Sequence, residues 1–201
     1  MGIRTFFHKI KAGFVRTKEP SIPSLDAAKI YGNYGEDKLV YMLRKELPSC
    51  KFKRNVVVST PDGNAEIDCL VLHDNKLFAI EIKRWKGRLI EQENGFLQEK
   101  TDRWTGETHT KLHKSPFKQL GRAIYLLRKQ IPLKAWVNAI VFFEDDELES
   151  VSSFSGNVWF DRYQDLVEYI SNDGKVSFGT CANDFFEKCV PADYLFANTW
   201  G

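Results

Sequence analysis

The sequence predicts an α/β domain, a central mixed β-sheet flanked by α-helices. Three observations predict it. Apolar residues recur at helical spacing in residues 26–47 and again in residues 116–131. Between them lie short runs rich in β-branched and aromatic residues, separated by turn signals. A further apolar run, residues 137–143, reads as a buried strand after the second helix, so helices and strands interleave along the chain. The 201 residues suffice for one domain with a real core, and the 43% hydrophobic fraction fits a folded protein.

Residues 1–24 are a basic, mildly amphipathic arm. It has no long apolar stretch and no small-residue cleavage site, so it makes a poor signal peptide. It is expected to be a short terminal segment; a surface-lying helix and an arm touching nucleic acid are the other readings. Pro20 and Pro23 end it. The first helix carries its apolar stripe on Leu39, Val40, Leu43 and Leu47, and Pro48 stops it. Residues 52–59 read as a strand, and residues 88–92 and 95–99 as a hairpin around Asn94 and Gly95. The polar stretch 101–114, rich in Thr, His and Lys, is expected to be a loop. Ser115 and Pro116 make a good helix start, as cap and first-turn proline. Residues 144–149 read as an acidic surface loop and 157–160 as a strand. Asp161 is the expected cap of a helix to Ile170, and a short helix is expected near 183–189. Residues 25–143 are thus the expected core, with 144–201 an extension completing the same domain.

The most informative feature is the pair of runs 66–72 and 77–83, joined by His73-Asp74-Asn75-Lys76. A turn signal between apolar runs predicts a β-hairpin. With Asp74 and Asn75 at the tip, Leu72 faces Leu77, Leu70 faces Ala79, Asp68 faces Glu81 and Glu66 faces Lys83. Side chains alternate, so Glu66, Asp68, Glu81 and Lys83 are expected on one face. Like charges directly opposed destabilise a sheet, and a divalent cation would offset the clash. Hard cations such as Mg²⁺ take carboxylate oxygens, backbone carbonyls and water. Asp68, Glu81 and the Ile82 carbonyl are therefore candidate ligands, with Lys83 placed to orient a water or neutralise a phosphate. Glu36 shares a helix face with Val40 and Leu43, which makes it a candidate third carboxylate; snorkelling to solvent is its bland alternative. The competing reading of the hairpin face is a solvated surface with Glu66 and Lys83 as an ion pair.

Net charge is only +2, so bulk charge does not announce a nucleic-acid binder. The four cysteines show no ligand spacing, and reduced thiols in the cytoplasm are expected. No run is long and apolar enough to span a bilayer. His109 and His113 form a weak i, i+4 pair in the expected loop.

Four blocks in order resemble one known family: Gly-Glu-Asp-Lys-Leu-Val (35–40), Glu-Ile-Asp-Cys-Leu-Val-Leu (66–72), Glu-Ile-Lys-Arg-Trp-Lys-Gly (81–87) and Ser-Pro-Phe-Lys-Gln-Leu (115–120). The chain is similar, over residues 28–143, to the nuclease-related domain (NERD) family of the PD-(D/E)XK nuclease superfamily. The resemblance implies a restriction-endonuclease-like core and Mg²⁺- (or Mn²⁺-) dependent processing of DNA. By it Glu36, Asp68 and Glu81 match the acidic positions and Lys83 the lysine. Gln119 matches a glutamine of the second core helix, where the family's usual Asn-Pro is Ser115-Pro116 here. Lys86, Arg88, Lys118 and Arg122, with Lys111, Lys114, Trp85 and Trp104 interleaved, are candidate nucleic-acid contacts. Two functions stay open: a metal-dependent nuclease, and an inactive module on the same fold that binds nucleic acid or a partner.

Overall fold

In the computed structural model, residues 24–93, 95–144, 148–151, 157–177 and 181–192 are described. The basic arm up to residue 23, Asn94 and part of the acidic run, residues 145–147, lie outside them.

Helix α1 (Ser24–Glu46) keeps its predicted stripe, and Arg44 and Lys45 in its last turn complement the negative end of the helix dipole. Strands β1 (Lys51–Thr60), β2 (Gly63–His73) and β3 (Lys76–Lys83) follow as an antiparallel meander. Next come β4 (Gly87–Gln92), β5 (Gly95–Thr101) and β6 (Thr108–Lys114). Helix α2 (Pro116–Gln130) starts as its sequence dictates, with Ser115 Oγ accepting the Lys118 N–H. The chain then forms β7 (Val137–Phe143), β8 (Leu148–Val151) and β9 (Trp159–Phe160). It ends with α3 (Tyr163–Asn172), α4 (Cys181–Lys188) and β10 (Val190–Pro191).

The strands form two sheets. The larger has the order β10-β1-β2-β3-β7-β9, and its β3–β7 and β7–β9 pairs are parallel, so it is mixed. One face is covered by α2 and α4, which bring Leu120, Leu127, Phe185 and Phe186 against Leu70, Leu77 and Val141. The other is covered by α1 and α3, with Leu39, Leu43, Leu166 and Ile170 against Val71, Phe78 and Ile140. This is the helix-flanked mixed sheet of a restriction-endonuclease-like core. The smaller sheet, order β6-β5-β4-β8, joins the α2-side core through Leu89 and Phe96.

Three local expectations are corrected. Residues 108–114 form a strand instead of a loop: β6 pairs with β5 from Gly95–Lys114 to Thr101–Thr108. Asp102 closes the connection by accepting the Trp104 and Thr105 N–H groups, and Gly106 takes φ +72°. β6 is an edge strand exposed on both faces, so it lacks the apolar alternation by which strands are read. Asp161 does not cap α3; Arg162 holds the cap position without a side-chain bond, and Asp165 supplies the negative charge of the first turn. Glu144 is no surface residue, being 4% exposed. No described helix is long and apolar enough to cross a membrane.

Candidate active site

The site lies where β2 and β3 stop pairing. Asp74 and Asn75, with φ of +45° and +60°, form the predicted two-residue tip. The ladder pairs Leu72 with Leu77 and Leu70 with Ala79, as the turn dictates, and ends at Cys69 with Ile80. The next expected pairs, Asp68 with Glu81 and Glu66 with Lys83, are not ladder partners. The Asp68 carboxylate instead accepts the Ile82 N–H at 2.7 Å. On its other flank the β1–β2 ladder skips from Arg54–Cys69 to Val56–Ile67, leaving out Asn55, whose φ is +48°. Asp68 therefore sits where backbone pairing is interrupted on both sides.

Side-chain alternation slips at the same point. Cys69 and Val71 belong to the α1-side core, yet Ile67 belongs to the α2-side core. In β1, Phe52 packs on the α1 side while Val56 and Val58 lie on the α2 side. Glu66, adjacent to Ile67, is thus off the face of Leu70 and Leu72, which corrects the expectation of four charged groups on one face. The period-two count fails where the ladder leaves out Asn55 and Asp68 together, one residue from each strand with no shift of register, and where Asn55 takes left-handed backbone.

Glu36 and Glu81 nonetheless both feel the negative charge of Asp68. Burial pushes the Glu81 carboxyl up to about 7; the charge of Asp68 adds to this, and Lys83 opposes it. Lys83 Nζ donates to Glu81 Oε1. Burial also raises the Asp68 carboxyl, while the Ile82 N–H and Lys83 pull the other way. Glu36 is pushed up to about 7, first by burial and then by Asp68, with Arg54 opposing. Its helix face is the predicted one, since Leu39, Val40 and Leu43 fill the α1-side core. Oε2 of Glu36 and Oε2 of Glu81 are both buried without a hydrogen-bond partner. A buried carboxylate oxygen left so is costly, and a cation is one means of satisfying it. Among the described residues no three His, Cys, Asp or Glu side chains converge as a ready-made metal cage. The donor set is therefore two neighbouring carboxylates with Glu36 at their edge. That set fits a cation such as Mg²⁺, ordinarily held by one or two carboxylates and several waters.

A residue hidden in the acidic run completes the surroundings. Glu144 follows β7 directly, and its N–H donates to the Lys83 carbonyl at 2.9 Å. Its carboxylate meets Lys38 Nζ at 2.6 Å and Arg84 Nε at 2.7 Å. Lys38 lies two residues after Glu36 and Arg84 one after Lys83, so Glu144 ties the middle of α1 to the end of the sheet that carries the candidate site. Gly35 lets α1 approach closely there: a Cβ on it would lie 2.8 Å from Arg84 Cδ and displace that side chain. The one signal in the sequence was its position as the first residue after a buried strand.

The remaining candidates scatter. Gln119 is exposed on α2, and its backbone N–H makes the first helical bond, to the Ser115 carbonyl. Lys118 Nζ donates to the Glu93 carbonyl and Arg122 Nη2 to the Asp62 carbonyl, which pins α2 to two loops. Arg88 lies 3.6 Å from Glu99 on the smaller sheet. The Lys86 carbonyl accepts from Gln98 Nε2. Trp85 is a core residue, stacked on His113 at 4.3 Å and packed near Phe96 and Phe143. His109 and His113 stand four residues apart on a strand, about 13 Å by the rise per residue, too far to share one metal ion.

Comparison with known families identifies one match: the sequence model of the nuclease-related domain (NERD) fits residues 31–144, more than half of the chain. Neither curated proteins nor solved structures yield a match.

Proposed function

Because the chain belongs to the nuclease-related domain family, we propose that it is a metal-dependent nuclease hydrolysing phosphodiester bonds of DNA at the β2–β3 site. The observation that carries this reading is the pair of buried, unpartnered oxygens, Glu36 Oε2 and Glu81 Oε2, on two carboxylates that both feel the charge of Asp68. Asp68 and Glu81 would hold Mg²⁺ or Mn²⁺, with the Ile82 carbonyl and Glu36 as further donors. When bound, the cation supplies a Lewis acid that acidifies water and offsets charge on the phosphate. The Ile82 N–H fixes the Asp68 carboxylate in place before any ligand arrives. The Lys83 ammonium, already beside Glu81, would orient the attacking water and neutralise charge growing on the phosphoryl oxygens. Burial of Glu81 under the sheet keeps bulk water from weakening these interactions. Gln119, exposed on α2, stands as a further candidate contact for the substrate and not as a cation ligand. A cytoplasmic location belongs to the same proposal and rests on the cysteine pattern.

The test is cleavage of linear, circular, branched and single-stranded DNA with Mg²⁺ or Mn²⁺. Asp68→Ala should lower cleavage by more than about a hundredfold. A wild-type protein that cuts none of these substrates with either metal sinks the reading. Calorimetry with Mn²⁺ separates the alternative: an inactive binding module would take up no divalent cation.

A further inference from the structure

One face of the smaller sheet carries a row of basic side chains. On the β5–β6 hairpin, Phe96, Gln98 and Lys100 share a face with His113, Lys111 and His109, because the register pairs them in that order. The buried end of this row reaches the site: His113 stacks on Trp85, two residues from Lys83, and bonds Gln98 Oε1 at 2.9 Å. Burial and the charges of Lys111, Lys100 and Lys83 together hold the His113 pKa below its usual value, so these cations share one field. The outer end, Lys100, His109 and Lys111, is exposed; β5 and β6 place no carboxylate on this face, whose acidic neighbours are Glu91 of β4, opposite Phe96 at the inner end, and Asp102 of the connection, which feels His109. Lys100 and Lys111 have no acidic partner among the described residues. At the tip, Trp104 is 96% exposed, and its backbone N–H donates to the Asp102 carboxylate.

A buried tryptophan is ordinary; one this exposed, beside a row of unpaired cations, is suited to a polyanion that carries ring faces. Phosphates need cations, and unpaired bases need an aromatic surface. We infer that this face of the β5–β6 hairpin is a track for a single-stranded segment of nucleic acid, which it leads to Lys83. Lys100 and Lys111 contact the backbone and Trp104 stacks on a base. The inference rests on the nuclease reading and adds to it where the strand lies and that it is unpaired.

The experiment is fluorescence anisotropy of a labelled 20-nucleotide DNA strand, and of the same sequence as a blunt duplex, in EDTA across a salt series. Wild-type protein should bind the single strand more tightly than the duplex. Lys100→Glu with Lys111→Glu should weaken single-strand binding tenfold or more and flatten the slope of log K against log salt by about 1.4, at roughly 0.7 per contact. Trp104→Ala should weaken it by about fivefold or more, the effect of one lost base stack. Lys114→Glu, on the opposite face of the same strand, changes affinity less than the double variant because only the track face is engaged. Equal losses for Lys114→Glu and the double variant, or tighter binding of the duplex with no effect of Trp104→Ala, overturn the track. Wild-type cleavage with unaltered binding by the hairpin variants overturns the track alone. Neither binding nor cleavage by the wild type overturns the nuclease reading with it.

Discussion

The two sheets of this molecule place their charges under opposite conditions. In the larger one, β3 is buried along nearly its whole length and Glu81 is fully enclosed. In the smaller one, β6 is exposed almost throughout and carries its lysines in water. The same extended backbone therefore serves two ends. Desolvation in the large sheet perturbs carboxylates and makes each ion pair matter; in the small sheet the lysines stay exposed, where a polyanion can reach them. Reactive groups gather where water is excluded, and candidate strand contacts where it is not.

Breaking a buried pair is the most severe way to test this contrast. Glu144→Ala leaves Lys38 and Arg84 without their shared carboxylate. Because Lys38 keeps about 34% exposure, the cost should fall at or below the lower end for a broken buried pair, about 2–3 kcal/mol in urea unfolding. A loss under about 0.5 kcal/mol would mean that the buried cluster behaves like a surface one.

Acidity gives a subtler effect. Glu36 and Glu81 titrate near 7 in the folded protein and near 4.5 when unfolded. Between those values the native state holds protons that the unfolded state has released. Stability without divalent cation should therefore fall as pH rises from about 4.5 to 7, and recover as pH falls. Glu81→Gln should flatten that slope in EDTA. An unchanged slope in the variant would show that Glu81 is not one of its sources.

The smallest effect belongs to the exposed sheet. Arg88→Ala removes a 3.6 Å pair with Glu99 whose partners remain in contact with water. Chemical denaturation should register less than about 0.5 kcal/mol. A larger loss would show that the smaller sheet depends on its charges for folding.

What was legible in the sequence was local. Leu39, Val40 and Leu43 announced a core-facing helix, Ser115 and Pro116 its successor, and Asp74-Asn75 fixed the hairpin and its register near the tip. Each follows from spacing or from one residue's backbone preference. β6 escaped because an edge strand exposed on both faces shows no apolar period, and Glu144 because an acidic run gives no hint of which member folds inward.

Sequence alone determined the two long helices, the central hairpin and the candidate set Glu36, Asp68, Glu81 and Lys83. Only the tertiary structure decided how they meet. The β1–β2 ladder breaks at Asn55 and Asp68 together, the alternation slips there so that Glu66 leaves the shared face, and Asp68 bonds the Ile82 N–H across the gap. Desolvation is likewise a property of the packed sheet, since α1, two cores and β7 must assemble before Glu81 loses its water. Spacing along a chain sets which side chains could share a surface; the backbone conformation of residues remote in sequence, and the exclusion of solvent, set which of them do.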